Sequence, residues 1–508
     1  MEIDASAAVA GLSLSADVCI VGAGPIGLAL AEALGEGGRE IILIESGGRN
    51  PRHELADLNT GEGAGDADPV LTESRCRGPG GTAALWNTAL YGATSAKYAA
   101  LDPIDFASRS GDSRRAWPFA KAALEPWYAQ AAAVAGNVSA DPPGIFSGDH
   151  CKPIAFHSGG LVNGTYWFGR PAVFTDTMPA RLRSASNVVL LSGATVTRLS
   201  PTRDRERVGE IGWRSLSGRS GIVRASSCVL AAGGIENARL LLAASDFDFA
   251  TRSRWLGRGF MEHPVDGTLQ LTTELPELCP APGYYAPHAD DRGRCVMGRL
   301  GLAEDLLRME DLPNASLRLI PDFEPESLAI HWLNAAGRRL QRIPVVHRRL
   351  AEIGARARRS ATRRPRTYRL LVDLEQAPHP ENRIMLSDGV DRLGQPRVKL
   401  RWEWRQEDER QRQRSLAVVT RELERNGMRV ARRTTGPGFN TCSHHHLGAT
   451  RMHPDPDEGV VDENLRVHGM KNLFVAGSSV FPTAGWANPT LTAIALTLRL
   501  ADHLGRAR

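Results

Sequence analysis

Lysine is almost missing from this chain. Of 62 Lys and Arg residues among 508, only Lys97, Lys121, Lys152, Lys399 and Lys471 are lysine. The skew reads as the compositional bias of a GC-rich source. The formal net charge of +5 is modest for the length and does not suggest a nucleic-acid partner. Cysteine is also sparse, with seven residues widely spaced and no C-x-x-C pair. That excludes a disulfide framework, a zinc ribbon and a covalent heme site, and a reducing cytoplasm is the expected location. No apolar run approaches the ~18 residues of a membrane span, and no repeat period appears. The opening MEIDASAAVAG has neither a basic segment nor an apolar core, so no secretory leader is expected. With 42% hydrophobic and 23% charged residues, the composition is that of a globular protein of two or three domains.

Glycine, at 51 residues, is plentiful and clustered. Val18-Cys19-Ile20-Val21 predicts a buried strand, followed at once by Gly22-Ala23-Gly24-Pro25-Ile26-Gly27. Leu28 to Leu34 has helical apolar content, and Ile41 to Ile44 predicts a second strand ending in Glu45. A G-x-G-x-x-G between a strand and a helix, with an acid after the next strand, is a dinucleotide-binding fingerprint. Gly22 permits the turn, Gly24 lets a pyrophosphate approach the backbone, and Gly27 lets helix and strand pack closely. The helix N-terminus meets the phosphate charge, and Glu45 is placed to accept from a ribose hydroxyl.

Further pieces of this kind recur. Strands are predicted at 187–191, 194–199 and 227–232, the last followed by Gly233-Gly234 and a helix. Another strand is predicted at 472–477, ahead of an amphipathic helix over 489–504. The fold class expected is α/β: a discontinuous Rossmann-like cofactor domain over 1–100, 186–270 and 436–508, and an inserted α+β substrate-binding domain over 101–185 and 271–435. Twelve arginines crowd residues 338–369 with Glu352 the only acid, which is the composition of a solvated face.

The C-terminal part reads His445-His446-Leu447-Gly448-Ala449-Thr450, then Asn472 to Ser479, then Asn488-Pro489-Thr490. Earlier come Arg75 to Trp86 with Gly80-Gly81-Thr82, Trp117-Pro118, Ala231 to Asn237 and Gly257 to His263. In this order the motifs resemble those of the glucose–methanol–choline (GMC) family of FAD-dependent alcohol oxidoreductases. The resemblance weakens only over about 270–370. It implies FAD as cofactor, with Gly22, Gly24, Gly27, Glu45, Gly80, Gly81, Thr82, Trp86, Val196, Gly477 and Thr490 around it. It also implies an alcohol substrate oxidised to a carbonyl by hydride transfer to flavin N5. His445 would be the base and Asn488 the partner that hydrogen-bonds the substrate oxygen. Ala449 stands where the family pattern has Thr or Ser. Leu85 stands where some members tether FAD through histidine, so non-covalent FAD is expected.

Within the family the motifs are similar to those of sugar-acting members and of aminoglycoside 6′-hydroxyl dehydrogenases of antibiotic assembly. A sugar, amino sugar or polyol hydroxyl is therefore expected, with oxygen or another acceptor taking the electrons. A cationic substrate would call for carboxylates, and Glu262, Asp290 and Asp291 are the candidates. His446 is the rival to His445, while His263 and His468 read as satisfied core or supporting groups. No metal site is expected from His444-His445-His446, because adjacent side chains on an extended segment diverge. The alternatives are a nicotinamide-dependent dehydrogenase, a dehydrogenase subunit that passes electrons to a separate protein, and an interaction protein built on a vestigial flavin fold.

Overall fold

The computed structural model describes residues 1–48, 53–67, 71–86, 88–90, 93–108, 116–136, 152–278, 283–321, 367–433, 438–441 and 443–506. Strands Leu12–Val21 and Ile41–Glu45 pair in parallel, joined by helix Pro25–Glu36. Val18 to Val21 and all of Ile41 to Glu45 are buried, as expected of parallel strands covered on both faces. The first strand begins six residues earlier than its apolar run suggests. Leu12 to Asp17 is only partly buried or exposed and carries no hydrophobic run to betray it.

Around this pair an eight-stranded sheet assembles in the order Glu2–Asp4, Val188–Ser192, Ile41–Glu45, Leu12–Val21, Ser220–Leu230, Val208–Arg214, Thr195–Pro201. Leu473–Val475 adds in parallel to the C-terminal end of Ser220–Leu230. Helix Thr490–Arg506 lies against helix Pro25–Glu36. Its buried Leu491, Ile494, Ala495 and Leu498 recur at helical spacing and join the same core.

Among the described residues a second, antiparallel sheet runs from Arg429–Arg432 through Val265–Thr272, Thr367–Leu374, Ala315–Pro321, Cys295–Leu302 and Leu161–Gly169 to Ala93–Tyr98 and Thr88–Leu90, and Pro287–Ala289 and Phe439–Asn440 pair with it off this path to make ten strands. Helix Gln406–Arg425 contributes Leu416, Val419 and Leu423 to the core of this sheet. A third sheet joins Arg383–Val390 and Pro396–Trp402 to Gly61–Gly65. The fold is α/β, a Rossmann-like layer beside an antiparallel one. The arginine-rich stretch lies outside the described residues except for 367–369, which open the strand Thr367–Leu374. Among the described residues no helix is long and apolar enough to cross a membrane.

Candidate active site

One cavity of about 620 Å³ runs between the two layers. Of the residues named from the sequence for FAD and for catalysis, all but Gly27 and Gly80 line it. Those two act through packing. A Cβ at Gly27 would stand 1.8 Å from the Gly22 carbonyl oxygen, so only glycine lets this helix sit on its strand. A Cβ at Gly80 would stand 2.8 Å from Thr175. Gly24 is the opposite case: its Cβ would meet nothing nearer than Gly81 at 4.0 Å, so its missing side chain leaves open space in the cavity. Gly24 is also the N-cap of helix Pro25–Glu36 and provides no side-chain cap. The first-turn N–H groups therefore lack an internal partner and can bind an anion.

Glu45 closes this end. Its Oε2 accepts from Ala23 N at 2.8 Å, and its Oε1 accepts from Gly78 N at 2.9 Å and Gly47 N at 3.1 Å. The acid thus ties the fingerprint turn to the second glycine motif. Burial pushes its carboxyl pKa up, and the three backbone N–H groups oppose the shift. Carboxylate oxygens have two lone pairs each, so Oε2 keeps capacity for a further donor. Val196 borders the cavity from strand Thr195–Pro201, and Gly477 and Thr490 border it from the C-terminal segment. Asn237 joins the middle and last motifs. Its Oδ1 accepts from Ala232 N at 2.8 Å, and its Nδ2 donates to the Ala476 carbonyl at 3.1 Å. Trp86 packs edge-on to Tyr98 and Phe174, with ring centres 6.2 and 6.0 Å away. Leu85 beside it is 43% exposed and also lines the cavity.

At the other end stand His445 and Asn488, with Asn488 Nδ2 donating to His445 Nε2 at 3.0 Å. The segment that carries His445 is bent by design. His444 has φ +57°, and the Glu262 carboxylate accepts from the backbone N–H groups of His445 at 2.9 Å and Ser443 at 3.4 Å. Beyond it Met261 and Leu447 form an antiparallel bridge. Gly448, at φ +87°, would place a Cβ 2.2 Å from the Gly259 carbonyl oxygen. Ala449 is fully buried beside Phe260 and Ile235, where a methyl packs well.

Burial holds the His445 pKa well below the ordinary imidazole value, and His263 and Lys97 lower it further against Asp373. His445 is therefore neutral at physiological pH. His446 also lines the cavity. Burial first, then Arg75, brings its pKa down to about 3. Its Nε2 lies 3.7 Å from Glu262 Oε1 and its ring packs on Phe260.

Lys97 is a functional candidate that sequence reasoning missed. It lines the cavity from strand Ala93–Tyr98, 3.7 Å from Asp373 and 4.1 Å from the centre of the Tyr166 ring. Burial and Arg318 bring its pKa down to about 7, against the pull of Asp373. Asp373 is already engaged by Arg318 at 2.6 Å and by Tyr166 at 3.2 Å. None of the carboxylates considered for a cationic substrate lines the cavity. Glu262 serves the backbone, Asp290 is closed on Arg294 in a tight turn, and Asp291 is exposed. His468 donates to the His453 carbonyl, away from the site. Among the described residues no group of three or more His, Cys, Asp or Glu could hold a metal.

Comparison with known proteins bears on these same residues. Residues 378–497 match the family model described as GMC oxidoreductase. The 6'''-hydroxyparomomycin C oxidase of Streptomyces lividus is 25% identical, over 97% of this chain and 92% of its own. The paromamine 6'-oxidase of Streptomyces fradiae is 26% identical, over 96% of this chain and 90% of its own. Among solved structures, a formate oxidase variant of Aspergillus oryzae RIB40, studied for FAD modification, superposes with a TM-score of 0.55. It covers 98% of this chain and 99% of its own at 14% identity, a likeness of fold.

Proposed function

We propose that the chain is a GMC oxidoreductase and that it uses non-covalently held FAD to oxidise a sugar, amino sugar or polyol hydroxyl to a carbonyl, with His445 as base. One observation carries the reading. His445 Nε2 and Asn488 Nδ2 meet in the same cavity that the glycine fingerprint and Glu45 close at its other end. The FAD pyrophosphate fits the uncapped helix N-terminus beside Gly24, and Glu45 Oε2 has capacity for a ribose hydroxyl. Leu85 offers no nucleophile for a covalent tether. FAD, when bound, supplies the hydride acceptor at N5.

The protein supplies the rest. A substrate hydroxyl entering between Asn488 and His445 takes over their mutual hydrogen bond. It donates its proton to Nε2 and accepts from the amide N–H. His445 is kept neutral by its burial, so its lone pair is available without prior deprotonation. Asn488 shares the negative charge that develops on the oxygen as the proton leaves. Trp86, Tyr98 and Leu85 give the same cavity an apolar lining. Lys97 disfavours an ammonium next to the reacting carbon, and among the described residues the carboxylates that line the cavity, Glu45, Glu73 and Glu236, are not bonded to His445. On an amino-sugar substrate the charged amines belong farther from it. The similar aminoglycoside oxidases support a hydroxymethyl group on an amino sugar as the first substrate to test.

We extend the proposal to organisation and location. The eight-stranded sheet supports a cofactor unit over 1–100, 186–270 and 436–508, with 101–185 and 271–435 as the substrate unit. The strands Thr88–Leu90, Ala93–Tyr98 and Val265–Thr272 are the crossing points into the antiparallel layer. Cys19, Cys76, Cys228 and Cys295 are free thiols, which supports a reducing cytoplasm. The deciding experiment is anaerobic flavin bleaching by the purified protein, against a panel of sugars, amino sugars and aliphatic alcohols. Bleaching by the sugar hydroxyls is the expected outcome. Bleaching by none of the panel, or a colourless protein that reduces a nicotinamide, would reject the reading.

A further inference from the structure

Two chain segments 182 residues apart in sequence meet behind His445. The antiparallel bridge pairs Met261 with Leu447, and the two backbones exchange N–H···O bonds of 3.1 and 3.2 Å. Continuing that register by two residues brings His263 opposite His445. Their Nδ1 atoms lie 2.9 Å apart, with the rings nearly perpendicular at 77°. Two imidazole nitrogens can bond only if one carries the proton, and the rest of the network says which. His263 Nε2 lies 3.2 Å from the Ala484 carbonyl oxygen, which can only accept. Neutral His263 is therefore protonated at Nε2 and bare at Nδ1. The shared proton then belongs to Nδ1 of His445, which leaves His445 Nε2 bare. Asn488 Nδ2 donates to that nitrogen at 3.0 Å, as the assignment requires.

We infer that His263 is a positioning residue that fixes His445 in the Nδ1-protonated tautomer, so that Nε2 meets the substrate as a proton acceptor. The inference rests on the proposed role of His445. Because the chain of donors ends on a carbonyl, which takes no proton, His263 orients His445 and relays nothing. Burial favours neutral rings in both histidines. The other groups acting on His445 are Lys97, Asp373 and His446, and Glu262 binds its backbone N–H. None of these is shown bonding to the Nδ1 atom.

The test has a spectroscopic arm and a kinetic arm. In 15N-histidine NMR of the holoenzyme, His445 is assigned by its loss in His445→Asn. It should show a protonated Nδ1 and a bare Nε2, and His263→Leu should show a mixture of the two tautomers. In anaerobic flavin reduction, His263→Leu should lose about ten- to a hundredfold in rate with FAD content unchanged, the size of loss when the group that orients a metal-bound histidine is removed. His263→Asn keeps an acceptor facing Nδ1 and should recover most of that loss. A wild-type spectrum with Nε2 protonated, or equal losses in the Leu and Asn variants, would overturn the inference. If His263→Leu fails to fold, the wild-type spectrum and the Asn variant still decide. Full activity in His445→Ala would instead overturn the base assignment, and the wild-type spectrum would still report on His263.

Discussion

The two ends of the cavity are built in different ways. At the fingerprint end the working groups are backbone: glycines without side chains, uncapped helix N–H groups, and one carboxylate that gathers three amides from three loops. At the His445 end the working groups are side chains brought from far apart in the sequence, with Asn488 at 43 positions and His263 at 182. Backbone binding suits a cofactor used by many enzymes, since peptide groups make the same contacts whatever the surrounding sequence. Side-chain chemistry suits a reaction, because proton position and charge can be tuned one residue at a time.

The sharpest way to break the contrast is at His445. His445→Ala should keep FAD and lose about 10²–10⁴-fold in the rate of flavin reduction by substrate, the contribution of a general base. His446→Ala should lose less, because its ring is committed to Phe260 and Glu262. Stopped-flow reduction of both variants gives the ranking, and the reverse order would move the base by one residue. At the fingerprint end, Glu45→Ala should weaken FAD retention by about one to two orders of magnitude, from loss of charge-assisted hydrogen bonds worth roughly 1.5–3 kcal/mol. Glu45→Gln should retain FAD better than Glu45→Ala while still losing affinity. Equilibrium dialysis of flavin separates the three proteins, and equal retention in all would show that the carboxylate only braces the loops. Asn488→Ala removes one hydrogen bond of ~1–1.5 kcal/mol to the substrate oxygen and should cost about tenfold in the same reduction assay. A loss as large as that of His445→Ala would show Asn488 to be indispensable in holding the His445 ring.

This difference in construction also governs what the sequence could reveal. The fingerprint is local, so two apolar runs, three glycines and an acid predict it together, and the structure puts strands Leu12–Val21 and Ile41–Glu45 and helix Pro25–Glu36 around it. Even so, the hold of Glu45 on Gly78, 33 residues away, has no local sign. His445 and Asn488 are legible only through resemblance to a family, and that resemblance carries no sign of which nitrogen holds a proton. His263 read as a supporting group because its partner lies across a bridge that no periodicity announces. Lys97 sits in the unremarkable strand sequence Ala93–Tyr98. Its only sign is compositional: a chain with five lysines among 62 basic residues keeps one of them there, at a place where a compact ammonium can lose its proton and a guanidinium cannot.

That lysine gives the smallest and most discriminating test. The His445 pKa is held below the ordinary ~6.5 by burial, then by His263 and Lys97. Protonation of His445 blocks proton acceptance, so the reductive rate should fall only on the acid side and stay level through neutral pH. At the pH where His445 titrates, Lys97, with its pKa near about 7, is still charged. Its ammonium opposes the formation of a second positive charge on His445. Removing it in Lys97→Met relieves that repulsion, raises the His445 pKa and moves the acid limb to higher pH. Lys97→Arg keeps the charge and should leave the limb below that of Lys97→Met. The measurement is anaerobic flavin reduction, carried down in pH from the alkaline side until the acid limb is reached, for the wild type and both variants. A limb that moves equally in both variants would assign the effect to packing around Tyr166. A limb that moves in neither would show that the charge on Lys97 does not reach His445 and leave burial and His263 to depress its pKa.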